Sequence, residues 1–116
     1  MKIICYKCNS LSEGINICSS CNFSLDRMSL LATTVILAYN KALELKDKKH
    51  IIKSWELIKT HLFIYPYVYE ILSFSYWLAI ENGDYKSAVK ILNQLKPVMS
   101  LENYQKRLDK YHLGKP

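Results

Sequence analysis

Glycine is scarce in this 116-residue chain, three in all, and no two stand close enough to form a loop that could cradle phosphate. Arginine is scarcer. Lysine supplies 14 of the 16 basic residues, so few side chains can make the bidentate contacts by which nucleic-acid readers address guanine and phosphate. The ten carboxylates form no compelling pair, and no nucleophile stands with an identifiable base. These absences point away from catalysis, and the chain is expected not to be an enzyme. A long uninterrupted apolar run is missing too. Leu62 to Ile80 comes nearest, with one formal charge over nineteen residues, but Pro66, Glu70, two serines and four tyrosines make it a poor hydrocarbon span. Met1-Lys2-Ile3-Ile4-Cys5 is too short for the apolar region of a signal peptide. The expected setting is therefore a reducing cytoplasm, with no membrane association.

Cysteine is absent after position 21, and the four that precede it are paired: Cys5-x2-Cys8, nine residues, then Cys18-x2-Cys21. A two-residue spacer lets both sulfurs of a pair turn toward one point. The excursion through Gly14 is long enough to fold back as a short hairpin and bring the second pair opposite. Four thiolates so arranged make a tetrahedral sulfur site that suits one Zn²⁺. Disulfides and thiol redox chemistry compete with this reading. A thioredoxin-like site needs a CxxC that opens a helix beside a strand, however, and neither pair has that setting. Catalytic zinc needs an open position for water, which four sulfurs deny. His50, His61 and His112 lie far along the chain and read as helix-surface or packing residues. The expected role of the metal is to staple the fold.

The stretch from Cys5-Tyr6-Lys7-Cys8-Asn9 to Cys18-Ser19-Ser20-Cys21-Asn22 resembles the small zinc ribbons that open many bacterial proteins, in which two CxxCG knuckles flank a Glu-Gly turn. Here Glu13-Gly14 stands at the turn and Ile15 to Ile17 would be the return strand. Asn9 and Asn22 replace the knuckle glycines. Asparagine tolerates the left-handed backbone that lets amides after the second cysteine point at the sulfurs.

From Asp26 onward the apolar residues follow helical spacing. Ser24 or Asp26 can cap a first helix running to about Lys46, with Met28, Leu31, Val35, Ala38, Ala42 and Leu45 along one side. Met28 to Ala38 is apolar nearly all round, which predicts burial on more than one side or a homodimer contact. Ile51, Ile52, Trp55, Ile58 and Leu62 mark a second helix. Pro66 would open a third that stops at Gly83-Asp84. A fourth spans about Tyr85 to Lys96, and Leu101, Tyr104, Leu108 and Tyr111 define a fifth. The expected architecture is mainly α: a zinc ribbon with a short β-hairpin over residues 1–25, packed on five antiparallel helices over 26–116.

Setting Gly83 against Lys49 aligns Tyr85 with Ile51, Ala88 with Ser54 and Leu92 with Ile58, all 34 residues apart. That period, and the segment from Leu78 to Ala88, resemble tetratricopeptide repeats. A generic five-helix bundle is the alternative. Two repeats are fewer than a stable stack usually needs, so the fifth helix would cover one end and the ribbon the other. The resemblance implies a groove formed by the first helix of each pair, with Ile36, Tyr39, Leu43 and Lys46 from one and Glu70, Ser73, Trp77 and Glu81 from the next. It thereby implies an adaptor that holds an amphipathic or hydrophobic segment of another protein. The other reading is nucleic-acid binding through the ribbon and the tail. Net charge is +6, and four thiolates with one Zn²⁺ lower it by two. Lys86 to Pro116 carries seven basic and two acidic residues. Against this, the ribbon holds one basic residue between ligands, Lys7, and the tail's lysines are spread as on a solvated helix face.

Overall fold

The structure, a computed structural model, describes residues 2–5, 7–12, 17–18, 20–22 and 29–111. Its elements are β1 (Ile3–Ile4), β2 (Leu11–Ser12), α1 (Ser29–Asp47), α2 (Ile51–Leu62), α3 (Tyr69–Glu81), α4 (Tyr85–Leu95) and α5 (Leu101–Lys110), with a 3-10 turn at Lys96–Val98. The protein is thus mainly helical, with a two-stranded antiparallel hairpin packed against the helices, as the sequence predicts. Among the described residues no helix is long and apolar enough to cross a membrane. The expected Glu13-Gly14 turn, the cap at Ser24 or Asp26, and Met28 lie outside the described residues.

Helical periodicity places the core. Val35, Ala38 and Ala42 of α1 and Trp55, Ile58 and Leu62 of α2 recur at three- and four-residue steps and are buried. Ile71, Leu72 and Leu78 of α3 join Ala88, Ile91, Leu92 and Leu95 of α4 in the same cluster. Small residues let the backbones approach: the Ser54 hydroxyl donates to the Ala42 carbonyl at 2.7 Å, satisfying a buried polar group across α1 and α2. For the apolar first half of α1 the expectation is burial on more than one side or a contact with a second copy. Leu37 is 65% exposed, so the outer side of this helix is open there.

The turns that close the two helical hairpins are built alike. After α1, Lys49 takes φ 64°, its amide bonds to Lys46 O (2.8 Å) and the His50 amide reaches Leu45 O (2.8 Å). After α3, 34 positions on, Gly83 takes φ 70°, bonding to Ile80 O (3.0 Å) while the Asp84 amide reaches Ala79 O (2.9 Å). Each is a left-handed helix stop satisfying the last carbonyls. The internal alignment therefore corresponds to a repeated backbone geometry.

Asp84 then starts α4 and ties it to α2. Its carboxylate accepts from the Ser87 amide (3.2 Å) and hydroxyl (2.9 Å), from the Trp55 indole N–H (3.3 Å) and from Lys59 Nζ (2.8 Å). Burial alone would raise this carboxyl. The Lys59 and Ser87 contacts outweigh it and hold the pKa at about 2, against an ordinary 3.8. A depressed carboxylate contributes stability that is complete above its unfolded pKa and is lost as pH falls toward the folded one. Between pH 4 and 2 the native protein is therefore expected to lose more unfolding free energy than Asp84→Asn, read from urea melts. Parallel pH profiles for the two would contradict the assignment.

α3 does not begin at Pro66. Val68 stays extended (φ −92°, ψ 112°) because it forms a bridge with Ile3, and the helix starts at the next residue. Tyr65 and Val68 are almost completely buried in this connection. α5, by contrast, has no fully buried residue. Tyr104, Leu108 and Tyr111 pack partly against the core, Ser100 caps the helix through the Asn103 amide (3.1 Å), and Tyr104 Oη donates to Asn93 Oδ1 (2.8 Å).

Candidate metal centre

The two CxxC pairs form matching knuckles. The Asn9 amide bonds to Cys5 O at 2.7 Å and the Asn22 amide to Cys18 O at 2.9 Å. Both asparagines are left-handed, at φ 62° and 60°, which is the conformation expected of residues standing in for glycine there. The strands pair Ile3 with Ser12 and Ile4 with Leu11, and the Cys5 amide reaches Ser10 O at 2.9 Å. The visible hairpin therefore closes on the first knuckle itself.

All four sulfurs lie within 4.8 Å of one another. Cys5 Sγ is 3.8 Å from Cys21 Sγ and Cys8 Sγ is 3.6 Å from Cys18 Sγ. In a tetrahedron with metal–sulfur bonds of about 2.3 Å the edges measure about 3.8 Å, so both contacts have the length of such an edge. Both are far beyond a disulfide bond, and none of the four is in a disulfide. The donor set and its spacing fit a metal ion. The local field also favours thiolates: the Ser10 hydroxyl and amide act on Cys8 and lower it to about 6 from 9.0. The amides of Cys21 and then Ser20 lower Cys18.

Cys5 and Cys18 are buried in the same hydrophobic cluster as the helices, whereas Cys8 and Cys21 are exposed. β1 is stitched to the start of α3. The Ile4 amide bonds to Tyr67 O at 2.7 Å, the Tyr69 amide to Lys2 O at 2.9 Å, and Glu70 accepts the Lys2 amide through both carboxylate oxygens (3.1 and 3.0 Å). The four-cysteine module is therefore docked where the two helical hairpins join. Glu70, counted among the groove positions from sequence, holds the N-terminal strand instead.

The other predicted groove residues divide into two sets. Ile36 and Tyr39 pack half-buried against the core, Leu43 is half-buried, and the Tyr39 ring meets Phe74 edge-on at 5.2 Å between centroids. Burial pushes the Tyr39 phenol up, with Glu70 adding to it. Ser73 is exposed and Trp77 is 40% exposed. Lys46 Nζ sits 5.1 Å from the Trp77 ring centre, linking α1 to α3. Ser73 and Trp77 open onto a cleft of about 550 Å³ between α3 and α5, lined also by Tyr76, Met99, Arg107 and Tyr111. A fifth helix that only covers one end of the stack, its lysines on a solvated face, has no share in such a cleft, yet α5 forms one wall of it. A signal existed: continuing the 34-residue register places Arg107 after Ser73 and Tyr111 after Trp77.

Compared with family models, with curated proteins and with solved structures, the chain matches none.

Proposed function

We propose that this chain is a small helical-repeat adaptor that binds a segment of another protein and transforms no substrate, with one Zn²⁺ as a structural staple. The observation that carries the reading is the tetratricopeptide-like register. Equivalent turns recur 34 positions apart, and Ser73 and Trp77 of α3 share one cleft with Arg107 and Tyr111, each 34 positions on, with Lys46 of α1 beside Trp77. In this reading α5 serves as the first helix of a truncated third repeat, so its inner face belongs to the binding surface.

Zinc is favoured by donor chemistry: four soft thiolates in a tetrahedral arrangement. Once held by Cys5, Cys8, Cys18 and Cys21 the ion has no open position, so it orders backbone without activating water. Its effect on binding is indirect, through the dock on Tyr67 to Glu70, which fixes the start of α3 and thereby the height of Ser73 and Trp77.

Affinity capture with the native protein beside Trp77→Ala tests the groove. Trp77 is sufficiently exposed for the change to leave folding intact, which a thermal melt checks. Partners retained by the native chain and lost by a stably folded Trp77→Ala are the expected result. Identical partner sets would overturn the reading.

A further inference from the structure

The cleft between α3 and α5 carries a chemical preference that its aromatic character alone does not explain. Tyr76 is 5% exposed and its side chain lines the cleft, yet its O–H finds no acceptor: the side chain acting on its oxygen is the Arg107 guanidinium, itself a donor. A buried phenol left unpaired in this way costs free energy that a bound acceptor would recover. Beside it, the Arg107 guanidinium lies 5.1 Å from the Tyr76 ring centre, and Lys110 Nζ lies 5.3 Å from that of Tyr111. Both cations line the cleft, and among the described residues neither forms an ion pair. Lys106, also in the lining, is already engaged with Glu102 at 3.0 Å. Glu81 is the one acidic residue of the lining. The balance is positive, the unpaired phenol O–H is a donor, and the apolar surface beside them is Trp77 and Met99.

We infer that this cleft takes an acidic peptide segment, with one carboxylate meeting Arg107, Lys110 and the Tyr76 hydroxyl while an adjoining apolar side chain packs on Trp77 and Met99. A carboxylate has the planar pair of acceptors that suits a guanidinium fork, and it supplies the acceptor Tyr76 lacks. A nucleic-acid strand is the less suitable occupant. Of the three cations in the lining only Arg107 and Lys110 are outside an ion pair among the described residues, too few to follow a phosphate backbone, and the cleft is closed on one side by the packed α3. The inference rests on the adaptor reading and specifies the chemistry of its partner.

The test uses the full-length, metal-loaded protein and fluorescein-labelled short peptides alternating Asp or Glu with Leu or Phe. Matched peptides carry Asn or Gln in place of the acids, and an RNA oligonucleotide serves as the third probe. The acidic peptides are expected to bind about ten- to hundredfold more tightly than their amide counterparts. Arg107→Gln should remove most of that difference without changing the affinity for the amide set. Tyr76→Phe, which keeps the ring and its packing, should weaken acidic peptides severalfold with little change in melting temperature. Equal binding of the two sets, with loss in Trp77→Ala, would overturn the acid preference and leave the adaptor reading standing. No binding of either peptide set would overturn both, as would preferential binding of RNA with a steep salt dependence.

Discussion

Replacing Cys18 with serine should strip the protein of its metal and release the hairpin from the start of α3, while the helical hairpins α1–α2 and α3–α4 stay folded. A serine hydroxyl is neither soft nor ionised at neutral pH, so the site falls to three sulfurs. Loss of a partner that merely supports a ligand commonly weakens a metal site by about 10–100-fold, and loss of the ligand itself does more. Cys18 is also buried against the helical core and has the amides of Cys21 and Ser20 directed at its sulfur, so the substitution disorganises the second knuckle. Structural zinc sites contribute on the order of 10–16 kcal/mol in isolated modules, comparable with the whole stability of a domain, about 5–15 kcal/mol. Among the described residues the module's sheet is two residues per strand, so the second knuckle has little sheet pairing to hold it. Metal analysis should fall from one ion per chain to a small fraction, and most far-ultraviolet helical signal should survive. Full metal occupancy in Cys18→Ser would contradict the four-sulfur assignment.

Trp55→Ala should be the most damaging change outside the metal site, costing about 3–5 kcal/mol of unfolding free energy. The indole is 5% exposed, donates to Asp84 at 3.3 Å and has Lys59 Nζ 5.8 Å from its ring centre. It therefore spans α2 and the cap of α4, and the junction between the two helical hairpins depends on it. Removing it leaves a cavity and takes one partner from a carboxylate that is partly buried. Trp55→Phe separates the two effects, since it keeps much of the volume and loses the N–H. It should cost about 1.5–3 kcal/mol, the range for a hydrogen bond to a charged group. Denaturant melts of both variants and of Asp84→Asn, alone and combined, would show the coupling, because residues sharing one network do not add. Additive losses for Trp55→Phe and Asp84→Asn would mean that the indole and the carboxylate act separately.

What the sequence made legible follows from the range of each interaction. α2, α4 and α5 begin and end close to their expected positions because caps and periodicity are local. Asp84 and Ser100 each precede an apolar stripe, and Pro97 closes α4 through a 3-10 turn. The knuckles were readable for the same reason: Asn9 and Asn22 sit beside the cysteines whose geometry they serve. The bridge from Ile3 to Val68 was not readable. It joins residues far apart in sequence through main-chain atoms, which leave no side-chain pattern, and it delays α3 past Pro66. The cleft was missed because α5 is strongly amphipathic, and a polar face reads as solvent-facing whether or not another helix stands opposite.

In the proposed reading the four cysteines hold one metal ion whose purpose is to dock the N-terminal hairpin on the junction of the helical hairpins. Amide hydrogen exchange before and after chelation, with metal content measured in parallel, tests it most directly. Release of one Zn²⁺ per chain should abolish protection at the amides of Ile4, Cys5 and Tyr69, while Ile58, Leu72 and Ile91 remain protected. A chain that contains no metal as isolated and still protects Ile4 and Tyr69, or one that loses its metal with no change at those amides, would contradict the account.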